Sequence, residues 1–288
     1  MVASSPTVLK RYVAFELLRL REATGMERKD VAARLHSVTS HVSHLETARN
    51  LPRPSDLEVL LGFYGAADRL PAFLELVDAA KKGRDWWEPF KGAAPKWFDL
   101  FLGLESCAER IERYDAMIVP GLFQIPEYAE AVIRAGNPML TDAEVARRVK
   151  LRMVRQDVLA RQPNPPTVWC VLDESVLHRP TGNPLVLANQ VEHLSTVAEL
   201  PNVTIQVLPL DVGVHAGVGD GTFIVLDFPP ELAGDPGVVY TESSIKGSYH
   251  ENPADIGRYR DIMRRVQVAA LNPDDSIAFL TRRFKELP

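Results

Sequence analysis

Thr39, Ser40, His41, Ser43 and His44 crowd one short stretch and are interleaved with Val42 and Leu45. Serine and threonine hydroxyls hydrogen-bond to phosphate oxygens or base edges, and imidazole donates or accepts. With Val42 and Leu45 turned inward, the five polar residues are free to face outward from a short helix. A helix that lies in the major groove of duplex DNA needs this pattern, polar outside and apolar inside, with its N-terminal residues on base edges. Arg49 and Arg53, just past the helix, are placed to neutralise phosphate, and Arg28 on the preceding segment joins them as an expected DNA contact.

Residues capable of other chemistry are scattered more thinly. Asp173-Glu174 and His178 follow an expected strand, and a carboxylate beside a histidine can act as acid and base. No G-x-S-x-G or H-E-x-x-H accompanies them, so the expectation is a helix cap at Asp173-Glu174-Ser175. Gly213, Gly217, Gly219 and Gly221 surround His215 and Asp220, but this stretch runs into a strand rather than a helix. It reads as a hairpin loop and not as a phosphate cradle. Arg147, Arg148, Lys150, Arg152 and Arg155 share a helix with Leu151, Val154 and Val158 and read as a solvated face. Trp86, Trp87 and Trp97 read as aromatic packing of a linker onto a second domain rather than a ligand cage. No catalytic residue, metal-ligand set or cofactor-binding residue emerges, and no enzyme activity is expected.

The elements that must position these residues follow from periodicity. Helices are expected over 8–24, 27–35, 39–48, 55–64 and 71–82, with Gly25 ending the first in a left-handed conformation and Ser55 capping the fourth. The segment 83–96, GRDWWEPFKGAAPK, lacks periodicity and reads as a linker. Helices follow over about 96–107, 126–136 and 141–161. Strands are expected over 167–172, 203–208, 222–226 and 238–241, and helices over 185–200, 254–271 and 276–285. The expected fold is an all-α, five-helix helix-turn-helix domain over 1–82, the linker, and a larger α+β or α/β domain over 97–288 with about four strands.

Composition agrees with this division. Residues 1–55 carry nine Lys and Arg against five acids, a balance of +4, which leaves −9 on the rest of a chain whose net charge is −5. A basic module on an acidic body suits one end that meets an anion while the rest avoids it. Met1–Lys10 has no apolar run typical of a secretory leader, and no stretch reaches the roughly 18 apolar residues of a membrane span. Cys107 and Cys170, far apart, exclude a disulfide framework and suit buried positions in a reducing compartment. A cytoplasmic location is expected.

The stretch LLRLREATGMERKDVAARLHSVTSHVSHLETARNLPRPS resembles the Xre/Cro-type helix-turn-helix through L-x-x-L-R-E-x-x-G, A-x-x-L, V-S-x-L-E and a P-S opening the next helix. Downstream, RDWWEPF, LGLESCAERIERYDAMIVPGLFQIPEYAEAVI, VWCVLDESVLHRP, NVTIQVLPLDVGVHAG, VVYTES and IGRYRDIMRRVQVAAL resemble the large C-terminal domain of the WhiJ-like family of actinomycete regulators. The resemblance implies a sequence-specific transcriptional regulator that binds a double-stranded DNA operator, and a two-fold operator asks for a homodimer. It also implies an antitoxin-like role and a small acidic partner protein resembling BldB. This sequence departs from the family pattern where DNA is read. His36 stands at a turn position usually held by Gly, Thr39 matches a frequent Gln, and His41 and His44 match usually basic positions. Because histidine titrates near neutrality, the departure implies an affinity that responds to pH. Two other readings remain open at the level of residues: an enzyme targeted to DNA by its N-terminal domain, and an interaction protein that regulates its own gene.

Overall fold

The computed structural model describes residues 5–229, 232 and 234–288. The chain divides into two compact units, Met1–Glu88 with Pro229–Asp235, and Pro89–Phe228 with Pro236–Pro288.

The first unit is helical: α1 (Pro6–Ala23), α2 (Arg28–Arg34), α3 (Thr39–Glu46), α4 (Pro54–Phe63) and α5 (Leu70–Lys82). Helix α1 begins two residues earlier than its apolar spacing indicates, because Pro6 suits a first turn and the Ser5 hydroxyl accepts from Val8 N. Gly25 ends it at φ 71°, the left-handed conformation expected there. Helix α4 is capped differently from expectation. It starts at Pro54, and the Asp56 carboxylate, rather than Ser55, accepts from the flanking Arg53 N at 3.1 Å. Val13, Leu17, Val31, Val42, Leu45, Leu57, Leu61 and Phe73 form the core, so all five helices contribute to one apolar centre.

Two buried carboxylates tie these helices together. Glu16 of α1 accepts from Arg19 Nε at 2.8 Å and from Arg69 Nη1 at 2.7 Å. Glu46, the last residue of α3, accepts from Arg21 Nε at 2.6 Å and from Arg28 Nε at 2.7 Å. Asp235, from the segment that joins this unit late in the chain, pairs with Arg11 of α1 at 2.6 Å.

The second unit contains a six-stranded mixed sheet in the order β3-β2-β1-β4-β5-β6. The strands are β1 (Arg110–Asp115), β2 (Thr167–Asp173), β3 (Val203–Leu208), β4 (Phe223–Asp227), β5 (Val238–Glu242) and β6 (Gly247–His250). β1, β2 and β3 run parallel, and β4, β5 and β6 continue antiparallel. The helices are α6 (Phe98–Cys107), α7 (Pro126–Gly136), α8 (Asp142–Arg155), α9 (Pro184–Ala198), α10 (Pro253–Ala269) and α11 (Pro273–Glu286). The parallel half therefore follows from strand–helix–strand crossovers, in which α7 and α8 link β1 to β2 and α9 links β2 to β3. Ile256, Met263 and Val266 of α10 pack on Tyr114, Val171, Val225 and Val239, one face of the sheet. On the opposite face Phe101 of α6 stacks on Tyr240 with ring centroids 4.2 Å apart.

Six strands replace the four expected, and the two additions have different causes. β6 is short and reads GSYH. β1 lies at the centre of the sheet, yet its sequence, RIERYD, carries four charges. Side chains two apart on a strand share a face, so Arg113 and Asp115 meet there in a doubled bond of 2.6 and 2.7 Å and are both buried. Arg110 Nη2 reaches Glu112 at 2.6 Å in the same way. Pairing inside the strand hides the charges that hydrophobic periodicity counts against it. Helix α8 is also shorter than expected, ending at Arg155 and followed by a tighter turn over Gln156–Ala160.

These contacts give two expectations. Asp115→Ala strands a buried guanidinium and lowers the unfolding free energy by about 3–5 kcal/mol, whereas the Arg113→Met/Asp115→Leu pair costs markedly less. Urea denaturation followed by near-ultraviolet circular dichroism measures both. Burial pushes the Glu16 carboxyl up, but the bonds from Arg19 and Arg69 outweigh it and hold the group below its ordinary 4.5. Its contribution is thus complete above that value and is lost as pH falls through the lower native value. Glu16→Gln should destabilise the protein at pH 7 and flatten the decline of thermal stability in acid.

Candidate nucleic-acid interface

Helices α2 and α3 are joined by the turn Leu35–Val38, in which Ser37 N donates to Ala32 O at 2.9 Å. His36 occupies this turn at φ 48°, in the region that glycine adopts most easily. A histidine there is a local strain that the surrounding helices hold in place. The turn sends the chain into α3, which is only two helical turns long. Val42 and Leu45 sit in the core and Glu46 is locked by Arg21 and Arg28, so the roll of α3 about its axis is fixed from inside.

Fixing the buried face fixes the other. Thr39 and Ser40 are exposed, and His41, Ser43 and His44 are half-buried, so the structure brings all five onto the outer side of α3. His41 Nε2 stands 3.6 Å from Asp56 Oδ2 of α4, which sets the direction of the imidazole. Arg49 and Arg53 are exposed, and neither forms an ion pair with a described residue. Lys10 of α1 joins them by donating from Nζ to Arg49 O at 2.9 Å, a cation not picked out in the sequence because it lies 39 residues away. Val38, immediately before α3, is 65% exposed. An apolar side chain there suits the methyl group of thymine, and its signal in the sequence was a lone valine where a cap residue is usual. Arg28 is placed otherwise than a free DNA contact would be, with its Nε held by Glu46.

In the second unit the structure regroups the remaining candidates. After β3 at the sheet edge, the chain must pass the carboxyl ends of β2 and β1 to reach β4, and the loop over 209–222 makes that crossing. It carries His215 to Tyr114 Oη at 3.3 Å and Asp173 Oδ2 at 3.9 Å. Asp173 thus meets His215 and Tyr114, while His178 pairs with Glu174 at 3.1 Å. His215 Nδ1 accepts from Gly217 N at 3.2 Å, and Asp173 Oδ1 accepts from Ser175 N at 2.9 Å, the capping role expected of it. Gly217 is required there, since a Cβ would stand 3.0 Å from the Tyr114 ring.

The basic helix α8 is less solvated than expected. Arg155 is buried against Glu105, with its guanidinium beside the rings of Phe98 and Phe101. Arg152 bonds to Gln124 Oε1 at 2.7 Å. Burial, then the neighbouring Arg155, push its guanidinium down to about 10. Trp86 and Trp87 belong to the first unit and Trp97 to the second. Both cysteines are buried and neither is in a disulfide, and burial followed by the Asp115 charge pushes the Cys170 thiol well up. Among the described residues no group of three His, Cys, Asp or Glu is arranged to hold a metal, and no helix is long and apolar enough to cross a membrane.

Comparison with protein families places these two units. Residues 13–73 match a helix-turn-helix domain, a span that runs from α1 into α5. Residues 98–282, about two thirds of the chain, match the model described as Domain of unknown function (DUF5753). The chain belongs to the DUF5753 family. No curated protein and no solved structure matches it. In this DUF5753 protein the family domain starts at α6 and ends within α11, so it takes in the whole sheet and the crossing loop.

The position of Arg28 separates two roles by measurement. Arg28→Ala should lower stability by about 1 kcal/mol, since a half-exposed charged hydrogen bond is partly screened. It should leave the slope of log affinity for DNA against log salt unchanged, because no phosphate contact is lost. Thermal unfolding and binding at several salt concentrations decide it.

Proposed function

We propose that this protein is a sequence-specific transcriptional regulator. Helix α3 reads an operator in the major groove, Lys10, Arg49 and Arg53 hold the phosphates, and the DUF5753 unit docks a ligand or partner. The observation that carries the reading is the outer face of α3. Five hydrogen-bonding side chains are presented there by a helix whose roll is fixed by Val42, Leu45 and Glu46. The resemblance to Xre/Cro-type domains and to WhiJ-like actinomycete regulators supports it, as does the balance of +4 on residues 1–55. On this reading the protein is cytoplasmic and acts without catalysis. Two-fold operators, with half-sites roughly 34 Å apart, call for a homodimer, for which the second unit or the stretch around Trp86 and Trp87 supplies the contact. An antitoxin-like role toward a small acidic partner follows from the same resemblance and is compatible with DNA binding.

The test selects binding sites for the full-length protein from random duplexes and compares them with non-specific DNA. Replacing Ser40, His41, Ser43 and His44 by alanine should erase the preference while leaving the melting temperature nearly unchanged, because the inward residues stay. Arg49→Ala and Arg53→Ala should weaken all duplexes about equally, each reducing the salt slope by roughly 0.9. Unchanged discrimination after the fourfold replacement overturns the assignment of α3.

A further inference from the structure

The loop that crosses the sheet and helix α10 flank an open cleft of about 620 Å³. Ala216 and Asp220 line it from the loop, and Ala254, Gly257 and Ile262 line it from α10. The loop is rigid here for the reasons already given: His215 is tied to Tyr114 and to Gly217 N, and Gly217 is packed between Tyr114 and Val266 of α10. The space is therefore preformed.

Gly257 contributes no side chain to the cleft. It lies one turn into a 17-residue helix, where glycine weakens the helix relative to alanine. Some glycines of the unit have structural reasons, whereas Gly136 and Gly219, like Gly257, have neither a close neighbour nor a left-handed φ. At Gly217 a Cβ would strike Tyr114, and at Gly247 it would come 2.7 Å from Tyr240. At Gly257 a Cβ would meet no atom within 4 Å, and the backbone has no left-handed φ. Neither packing nor conformation calls for glycine; what its missing side chain leaves is open space in the cleft.

The charges on the rim point to the ligand. Arg258 and Arg265 line the cleft on α10, two helical turns apart, and neither forms an ion pair or a side-chain hydrogen bond with a described residue. Asp261 between them pairs with Arg264 at 2.6 Å on the exposed face of the helix. Asp220 accepts no side-chain bond and is open to a hydroxyl or amide donor. We propose that this cleft binds a small organic anion, its acid group held by Arg258 and Arg265 and its apolar body lying over Ala254, Gly257 and Ile262. The inference rests on the reading of the DUF5753 unit as a docking domain and gives that docking a chemistry. Guanidinium forks match carboxylates in two-point hydrogen bonds, and a side-chain-poor helix face accepts a flat ring or a chain.

Isothermal titration of the full-length protein, without DNA, tests it. The probes are octanoate, 2-naphthoate and 2,6-naphthalenedicarboxylate, with 2-naphthylmethylammonium as the cationic control. At least one anion should bind saturably at one site per chain, and the ammonium should not. Arg258→Gln with Arg265→Gln should weaken the anion by about tenfold or more. Gly257→Leu should abolish binding while the melting temperature of the unliganded protein stays level or rises. Saturable binding that survives Gly257→Leu overturns the proposal, as does equal binding of anion and ammonium, or binding of none of the three anions. Because no DNA enters the titration, its outcome is independent of whether α3 reads an operator.

Discussion

Glu46 sets the geometry of the first unit because α3 cannot set its own. An isolated helix of eight residues does not hold together in water. Its direction and roll must come from what it touches, and two apolar side chains allow some rocking. A carboxylate buried at its last residue, bonded to Arg21 of α1 and Arg28 of α2, removes that freedom by joining three helices at one point. Such a pair is not a large net source of stability, since desolvation offsets most of the attraction. Its effect is on uniqueness: any other roll of α3 leaves a charge in the core without a partner. The outward hydroxyls and imidazoles inherit their positions from that constraint.

The second unit solves a comparable problem in its central strand. β1 has neighbours on both sides and helices over both faces, which ordinarily demands a continuous apolar run. Here Arg113 Nε and Nη2 pair with Asp115 within the strand, and Cys170 on β2 stands 3.7 Å from the same carboxylate. Tyr114, between them, points to the other face and becomes the anchor for the crossing loop. One strand thus places a buried ion pair under one layer and the anchor of the crossing loop under the other.

Legibility in the sequence followed the same physics. The helices of the first unit were readable because leucine and valine recur at helical spacing and Gly25 marks a stop. The four apolar strands were readable for the analogous reason. β1 was hidden because its burial rests on pairing of charges, which no periodicity reports. Asp173 was singled out beside His178, its sequence neighbour, whereas its partners in space are Tyr114 and His215, at separations of 59 and 42 residues set only by the order of strands. The outer face of α3 was visible because inside and outside alternate within a few residues. The role of Arg28 was not, because a basic residue looks the same whether it meets a phosphate or a buried glutamate.

The first unit is discontinuous: besides Met1–Glu88 it takes in Pro229–Asp235, which follows β4 in sequence. During synthesis from the N-terminus, α1 therefore emerges well before the aspartate that neutralises Arg11. A fragment cut at the 83–96 stretch would keep Arg11 and lose Asp235, so α1 would give up one of its buried ion pairs. Gene fusions that graft this head onto another body would keep that pair only by carrying the late segment along.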